Sequence, residues 1–122
     1  VGLDAPTSVL DGQDRIAVLR VAQEAMRNAR KHADAKHVWL TTSYEPGPDA
    51  NGVGGWVMEV RDDGKGFDVA AATSGTDRHH FGLRFMRERT ALIGGRLEIM
   101  SEPGHGSVVR LTLDPGERSQ MR

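Results

Sequence analysis

Apolar residues recur at three- and four-residue steps through Val18, Leu19, Ala22, Ala25, Met26, Ala29 and Ala33. That spacing puts them on one side of a helix. With Asp11 as N-cap, the pattern predicts a helix from about Gly12 to about Ala33, ended by Asp34-Ala35. The period then changes to two. Val38, Leu40, Thr42 and Tyr44 alternate within Lys36 to Glu45, and Trp39 and Thr41 add β-propensity, so this stretch is a strand. Residues 46–55 are rich in proline, glycine and asparagine and form a turn-rich loop. Trp56 to Arg61 is a second strand, which completes a long-looped hairpin. Asp62 to Gly66 is a glycine-punctuated turn, and Phe67 to Phe81 shows no convincing period. A loop of that length in a compact domain is usually functional or mobile. From Gly82 a helix is expected, with Leu83, Met86, Thr90 and Ile93 on one face and Gly94-Gly95 as its stop. Arg96 to Ser101 and Ser107 to Leu113 are two more strands, joined by Glu102-Pro103-Gly104-His105-Gly106.

Residues 1–10 look extended or irregular, with Pro6 breaking any early helix. The tail from Asp114 is polar. The order helix, hairpin, loop, helix, hairpin predicts one α+β domain over residues 1–113 and a polar tail over 114–122. Its strands should be antiparallel, with helices on one face.

Composition narrows the chemistry. The chain has 122 residues, enough for one hydrophobic core, and 16 basic residues nearly cancel 17 acidic ones. No global field therefore holds it on nucleic acid or an anionic membrane, although a local basic cluster can bind a small anion. Cysteine is absent, which excludes disulfides and thiolate metal sites and suits a reducing cytosol. No apolar run approaches the roughly 20 residues of a membrane span. The start at Val1, without Met, reads as that of an excised piece.

Four polar or glycine-rich segments remain. Glu24 and Asn28 lie four apart on the first helix, and Lys31 and His32 extend that side. Taken alone this is a solvated face, or else a site for a hydrated metal and phosphates. Mg²⁺ needs only one or two protein oxygens, and a lysine one turn on neutralises a phosphate. Asp62-Asp63-Gly64-Lys65-Gly66 is a simple turn, or a carboxylate at a strand end with glycines that let a flat base approach. His80-Phe81-Gly82-Leu83 is a plain helix start, or a phosphate site built on backbone N–H groups. Gly104-His105-Gly106-Ser107 is a hairpin turn, or its hydroxyl completes a polar floor under the base. The adjacent His79 and His80 do not converge on one metal ion, and the few aromatic residues argue against a stacking platform for single strands.

In order, the runs at residues 24–33, 62–67, 82–89 with Gly94-Gly95, and 103–107 resemble the boxes of sensor histidine kinase catalytic domains. The wider superfamily includes DNA gyrase, heat-shock chaperones and mismatch-repair ATPases. The run Met86-Arg87-Glu88-Arg89 before Gly-Gly is similar to the branch paired with helix-turn-helix response regulators. The resemblance implies a two-layer α/β sandwich, its mixed, mostly antiparallel sheet covered on one face by helices. ATP would lie between the helices under a flexible lid, about Asp68 to Phe81. It implies Mg²⁺ at Asn28 with Glu24 beside it, and phosphate contacts from Lys31 and His32. It also implies adenine at Asp62, in a pocket shaped by Gly64, Gly66 and Phe67. Gly82 and Leu83 would match the second glycine box at the end of the lid, and Ser107 stands where many relatives have Thr. The implied activity moves the γ-phosphoryl of ATP onto a histidine of a separate dimerisation domain, with a response regulator downstream, in the cytoplasm. None of the chain's five histidines matches the phosphoacceptor pattern. An anti-sigma-factor serine kinase shares this fold, but the segment Met86 to Gly95 argues against it; acid lability of the phosphorylated product separates the two. A degenerate interaction module is a further alternative, which the presence of Asn28, Asp62 and the glycines argues against.

Overall fold

A computed structural model of the chain describes residues 2–3, 10–46, 53–74 and 78–114. In chain order the elements are β1 (Gly2–Leu3), α1 (Gly12–Lys31), β2 (Val38–Pro46), β3 (Val53–Asp62), α2 (Val69–Ser74), α3 (Arg78–Leu92), β4 (Arg96–Ser101) and β5 (Ser107–Leu113). The strands form one sheet in the order β1-β2-β3-β5-β4. β1 runs parallel to β2, and every other neighbouring pair is antiparallel. The sheet is therefore mixed and mostly antiparallel, and α1 and α3 pack on one face: an α/β sandwich.

Alternation along the strands decides which side chains meet the helices. Register pairs Met58 with Leu111 and Val60 with Val109, and all four are buried in one cluster with Val18, Val21, Leu83 and Met86. Removing a side chain of this size from water stabilises the fold by about 1.5–3 kcal/mol. The opposite parity carries Trp39, Glu59, Arg61 and Arg110 on the outer face, where Glu59 pairs with both arginines at 3.1 and 3.5 Å.

α1 begins where the sequence indicates. Asp11 has extended backbone, and its carboxylate accepts the Asp14 N–H at 2.9 Å, which satisfies one of the free donors of the first turn. Its buried side is Ala17, Val18, Val21, Ala22, Ala25 and Ala29. Leu19, expected on that face, is 45% exposed, and Val21 takes its place because the stripe turns toward α3. Gly94, at φ +66°, stops α3 through the left-handed turn that glycine adopts freely.

The largest departure lies between residues 68 and 81. The expected irregular lid contains α2, and α3 starts at Arg78 rather than at Gly82. Leu83 and Met86 are buried against α1, and that tertiary burial stabilises an extra turn whose own sequence lacks apolar period. The readings at Pro6, at residues 47–52, at residues 75–77 of the expected lid and in the tail after Asp114 fall outside the described residues. Among the described residues no helix is long and apolar enough to cross a membrane.

Candidate functional site

Glu24 and Asn28 lie on the flank of α1 that meets α3. Glu24 is mostly buried and pairs only loosely with Arg27, at 3.6 Å. The Asn28 Oδ1 is buried and has no hydrogen-bond partner among the described residues. An unpaired buried carbonyl oxygen costs about 1–3 kcal/mol and is an acceptor waiting for a donor or a cation. With the Glu24 carboxylate one turn away, this donor set fits a largely hydrated Mg²⁺, which asks few protein oxygens. Lys31, in the last turn, is exposed; His32 is half-buried and forms the C-cap, its N–H donating to the Asn28 carbonyl. The first polar stripe is thus assembled.

The second group forms at the ends of β3 and β5. Asp62 pairs in register with Ser107, on the face turned toward the helices. One Asp62 carboxylate oxygen, Oδ1, accepts the Gly64 N–H at 2.8 Å. Gly66 has φ +66°, and a Cβ there would collide with the Glu102 carbonyl oxygen, so only glycine fits. Gly64 packs on Ala33, and Lys65 donates its N–H to the Ala33 carbonyl at 2.8 Å.

Two residues of this group had no assigned role in the sequence. Asp63 accepts the Lys36 and His37 N–H groups at 2.9 and 2.8 Å, and the His37 Nδ1 lies 2.7 Å from its other oxygen. The hydrogen bonds from His37, backbone and then side chain, hold the Asp63 carboxyl below its ordinary range. Ser101, at the end of β4, accepts the Phe67 N–H at 2.9 Å, donates to the Gly106 carbonyl at 3.0 Å and touches the Ser107 hydroxyl at 2.8 Å. Asp63 follows a conspicuous turn residue, which was a usable signal. A lone serine in a strand carries none.

The two groups face each other. Asn28, Asp62, Phe67, Leu83 and Ser107 line a single slot, floored by Ala25, Ala29 and Val109. The slot is nearly shut. It holds about 20 Å³, whereas small-molecule sites usually measure about 300–1,000 Å³. Asn28 and Asp62 thus line one slot, but at this volume it is not a nucleotide-sized cleft; Leu83 and Met86 line it as well. Gly82 lies inside α3, not at its start, so its N–H belongs to the helix and is not presented as a terminal donor. Its backbone rests on the other group: a Cβ built there would stand 2.7 Å from the Glu24 Oε1 and 3.2 Å from the Asn28 Nδ2. An open hollow of about 340 Å³ lies beyond, between Glu24, Arg27, Phe81 and Phe85. At the other end Asp62 and Ser107 also border an open hollow of about 530 Å³, with Val69, Ile99, Ser101 and His105.

Similarity to known proteins shows the family of the chain. Residues 13–117 match the family described as histidine kinase-, DNA gyrase B- and HSP90-like ATPase. The chain is 34% identical over 118 residues to the nitrate/nitrite sensor protein NarQ of Escherichia coli, covering 95% of this chain and 19% of NarQ. It is 33% identical over 98 residues to the signal transduction histidine-protein kinase/phosphatase DegS of Brevibacillus brevis, covering 80% and 22% respectively. The chain thus spans about a fifth of the length of these relatives. Among solved structures, full-length ShkA in complex with AMPPNP superposes with a TM-score of 0.63 at 26% identity, over 81% of this chain and 21% of ShkA. The histidine kinase domain of the Erythrobacter litoralis blue-light activated kinase EL346 gives 0.61 at 18% identity, over 89% and 48%, a likeness of fold. The chain belongs to the histidine kinase-, DNA gyrase B- and HSP90-like ATPase family and strongly resembles the ATP-binding catalytic domain of sensor histidine kinases.

Proposed function

We propose that this chain is the catalytic domain of a two-component sensor histidine kinase, which moves the γ-phosphoryl of ATP to a histidine on a separate dimerisation domain. In that transfer the bond between the γ-phosphorus and its bridging oxygen breaks, a phosphorus–nitrogen bond forms on the imidazole, and ADP leaves. The observation that carries the reading is the convergence of Asn28, Asp62, Phe67, Leu83 and Ser107 on one slot, from four separate segments of the chain. Asp62, with one carboxylate oxygen left over from Gly64, accepts from the adenine amino group, and Ser107 extends that floor. Gly64 and Gly66 keep the turn thin enough for the base to lie against backbone. Asn28 and Glu24 would hold Mg²⁺, which when bound neutralises charge on the phosphate oxygens. Lys31 and His32 reach the phosphates from the next turn, while Gly82 and Leu83 border them from α3. These groups position and stabilise charge rather than attack, as phosphoryl transfer requires. The phosphoryl group would pass onward to a response regulator, and a domain that draws on cellular ATP would work in the cytoplasm.

Calorimetric titration with ATP and ADP, with and without magnesium, tests the nucleotide site directly. Joined to a dimerisation domain from a full-length relative, the chain should phosphorylate the histidine, and Asn28→Ala should lose that transfer while keeping much of its adenine binding. Full transfer by Asn28→Ala would remove the metal assignment.

A further inference from the structure

The three contacts of Ser101 are constrained by the protons available. A hydroxyl carries one proton and two lone pairs. The Phe67 N–H can only donate, so Ser101 accepts there, at 2.9 Å. The Gly106 carbonyl can only accept, so the contact at 3.0 Å uses the single proton of Ser101. At the remaining contact, 2.8 Å from the Ser107 Oγ, Ser101 has only a lone pair to offer. With the Ser101 proton on the Gly106 carbonyl, the proton between the two hydroxyls is the one that Ser107 supplies. Its own proton is committed away from the slot, and what it presents to the slot is lone pairs. Asp62, its partner across β3 and β5, is likewise an acceptor, with Oδ1 engaged by Gly64 and no partner for Oδ2 among the described residues. The floor is acceptors only.

We propose that Ser101 is a positioning and specificity residue: by holding the Ser107 proton, it makes the base floor accept from a 6-amino purine and repel a 6-oxo purine. This rests on the nucleotide reading given above, and it adds a residue that touches no substrate. The hub also ties Phe67 and the Gly106-Ser107 pair, two separate segments beside the slot, to one side chain, so the polarity and the shape of the base site are set together.

The test measures a ratio. Dissociation constants for Mg-ATP and Mg-ITP are obtained by calorimetry for the unmodified chain and for Ser101→Ala, Ser101→Thr and Ser107→Ala. Without the Ser101 hydroxyl, Ser107 is free to turn its proton toward the base. The preference for ATP over ITP should then fall about three- to tenfold, the worth of one neutral hydrogen bond. Ser101→Thr, which keeps a hydroxyl, should restore it. In a Ser107→Ala background the Ser101→Ala change should no longer move the ratio, since the proton in question is gone. Equal weakening of both nucleotides by Ser101→Ala would overturn the proposal and leave a purely structural residue. Should Ser101→Ala not fold, the Ser101→Thr and Ser107→Ala ratios decide: an undiminished preference in Ser107→Ala refutes it. An unmodified chain that binds neither nucleotide would remove the nucleotide reading itself, and this proposal with it.

Discussion

Replacing Gly82 by alanine separates the closed slot from a merely packed one. Glycine inside a helix is about 0.8–1.0 kcal/mol less favourable than alanine, so the substitution favours the wound start of α3. The added methyl would stand 2.7 Å from the Glu24 Oε1, 3.2 Å from the Asn28 Nδ2 and 3.5 Å from the Asn28 Oδ1. The closest of these is the far end of a flexible side chain, held among the described residues by a 3.6 Å pair to Arg27 whose guanidinium is half exposed. Swinging this mostly buried carboxylate toward the half-exposed Arg27, with a slight yielding of the Asn28 amide, costs about 0.2–0.5 kcal/mol. The net stabilisation is about 0.3–0.8 kcal/mol, enough to raise Tm by roughly 1–4 °C in a domain of this size. The same free energy opposes opening of the slot. A ligand that binds only the open form then loses about two- to fourfold in affinity, and the methyl beside Asn28 adds to that loss. Thermal melting and calorimetric titration with Mg-ATP measure the two effects on one preparation. A Tm lowered by several degrees with unchanged ATP affinity would refute the reasoning, because it would mean that Gly82 is needed for packing and that the slot does not open there.

Asp62→Asn keeps an oxygen for the Gly64 N–H but surrenders the carboxylate, so ATP should weaken about ten- to a hundredfold with little change in Tm; a loss below twofold by calorimetry would dismiss Asp62 as the base acceptor. Leu111→Ala, at a fully buried position in the middle of β5, should cost about 2–5 kcal/mol in urea unfolding, and a cost below about 1 kcal/mol would mean the sheet and helices are not packed as described. Asp63 titrates below its ordinary value in the folded chain, so its contribution to stability is complete above that value and disappears as pH falls through the lower folded one. Melting of the parent and of Asp63→Asn from about pH 5 to about pH 2 should therefore converge toward the acid end, and a gap that widens there would contradict the sign.

Much of this architecture is legible because local pattern and tertiary burial agree. Asp11 caps α1 as its position before the apolar stripe indicates, and β4 and β5 begin and end where alternation does. The misplacement of Leu19 follows from helix geometry: it lies on the border of the stripe, and only the position of α3 decides that Val21 is the buried neighbour. The start of α3 was not legible, since Arg78-His79-His80 carries no apolar period and its helix depends on Leu83 and Met86 meeting α1. β1 was missed for a similar reason, because two residues pair in parallel with Thr41 and Thr42 far along the chain. In the site, glycine and carboxylate positions stand out in the sequence. The proton path through Ser101 does not, because hydrogen-bond direction depends on three segments meeting in space. Whether the slot is open or shut is a property of conformation, which residue types alone do not encode.

The stitching between residues 33–37 and 62–66 bears on recombination. The Ala33 carbonyl holds Lys65, and the Asp63 carboxylate holds Lys36 and His37, so segments some thirty positions apart in the chain are bound directly to each other. Chimeras that import the glycine turn from another member of the family while keeping the native helix-to-strand junction would break these contacts at their seam. Crossovers placed in the 47–52 tip would cut them as well, because the two halves of the stitch lie on either side. Viable shuffling should exchange both segments together, from before Ala33 to beyond Gly66, as a single cassette.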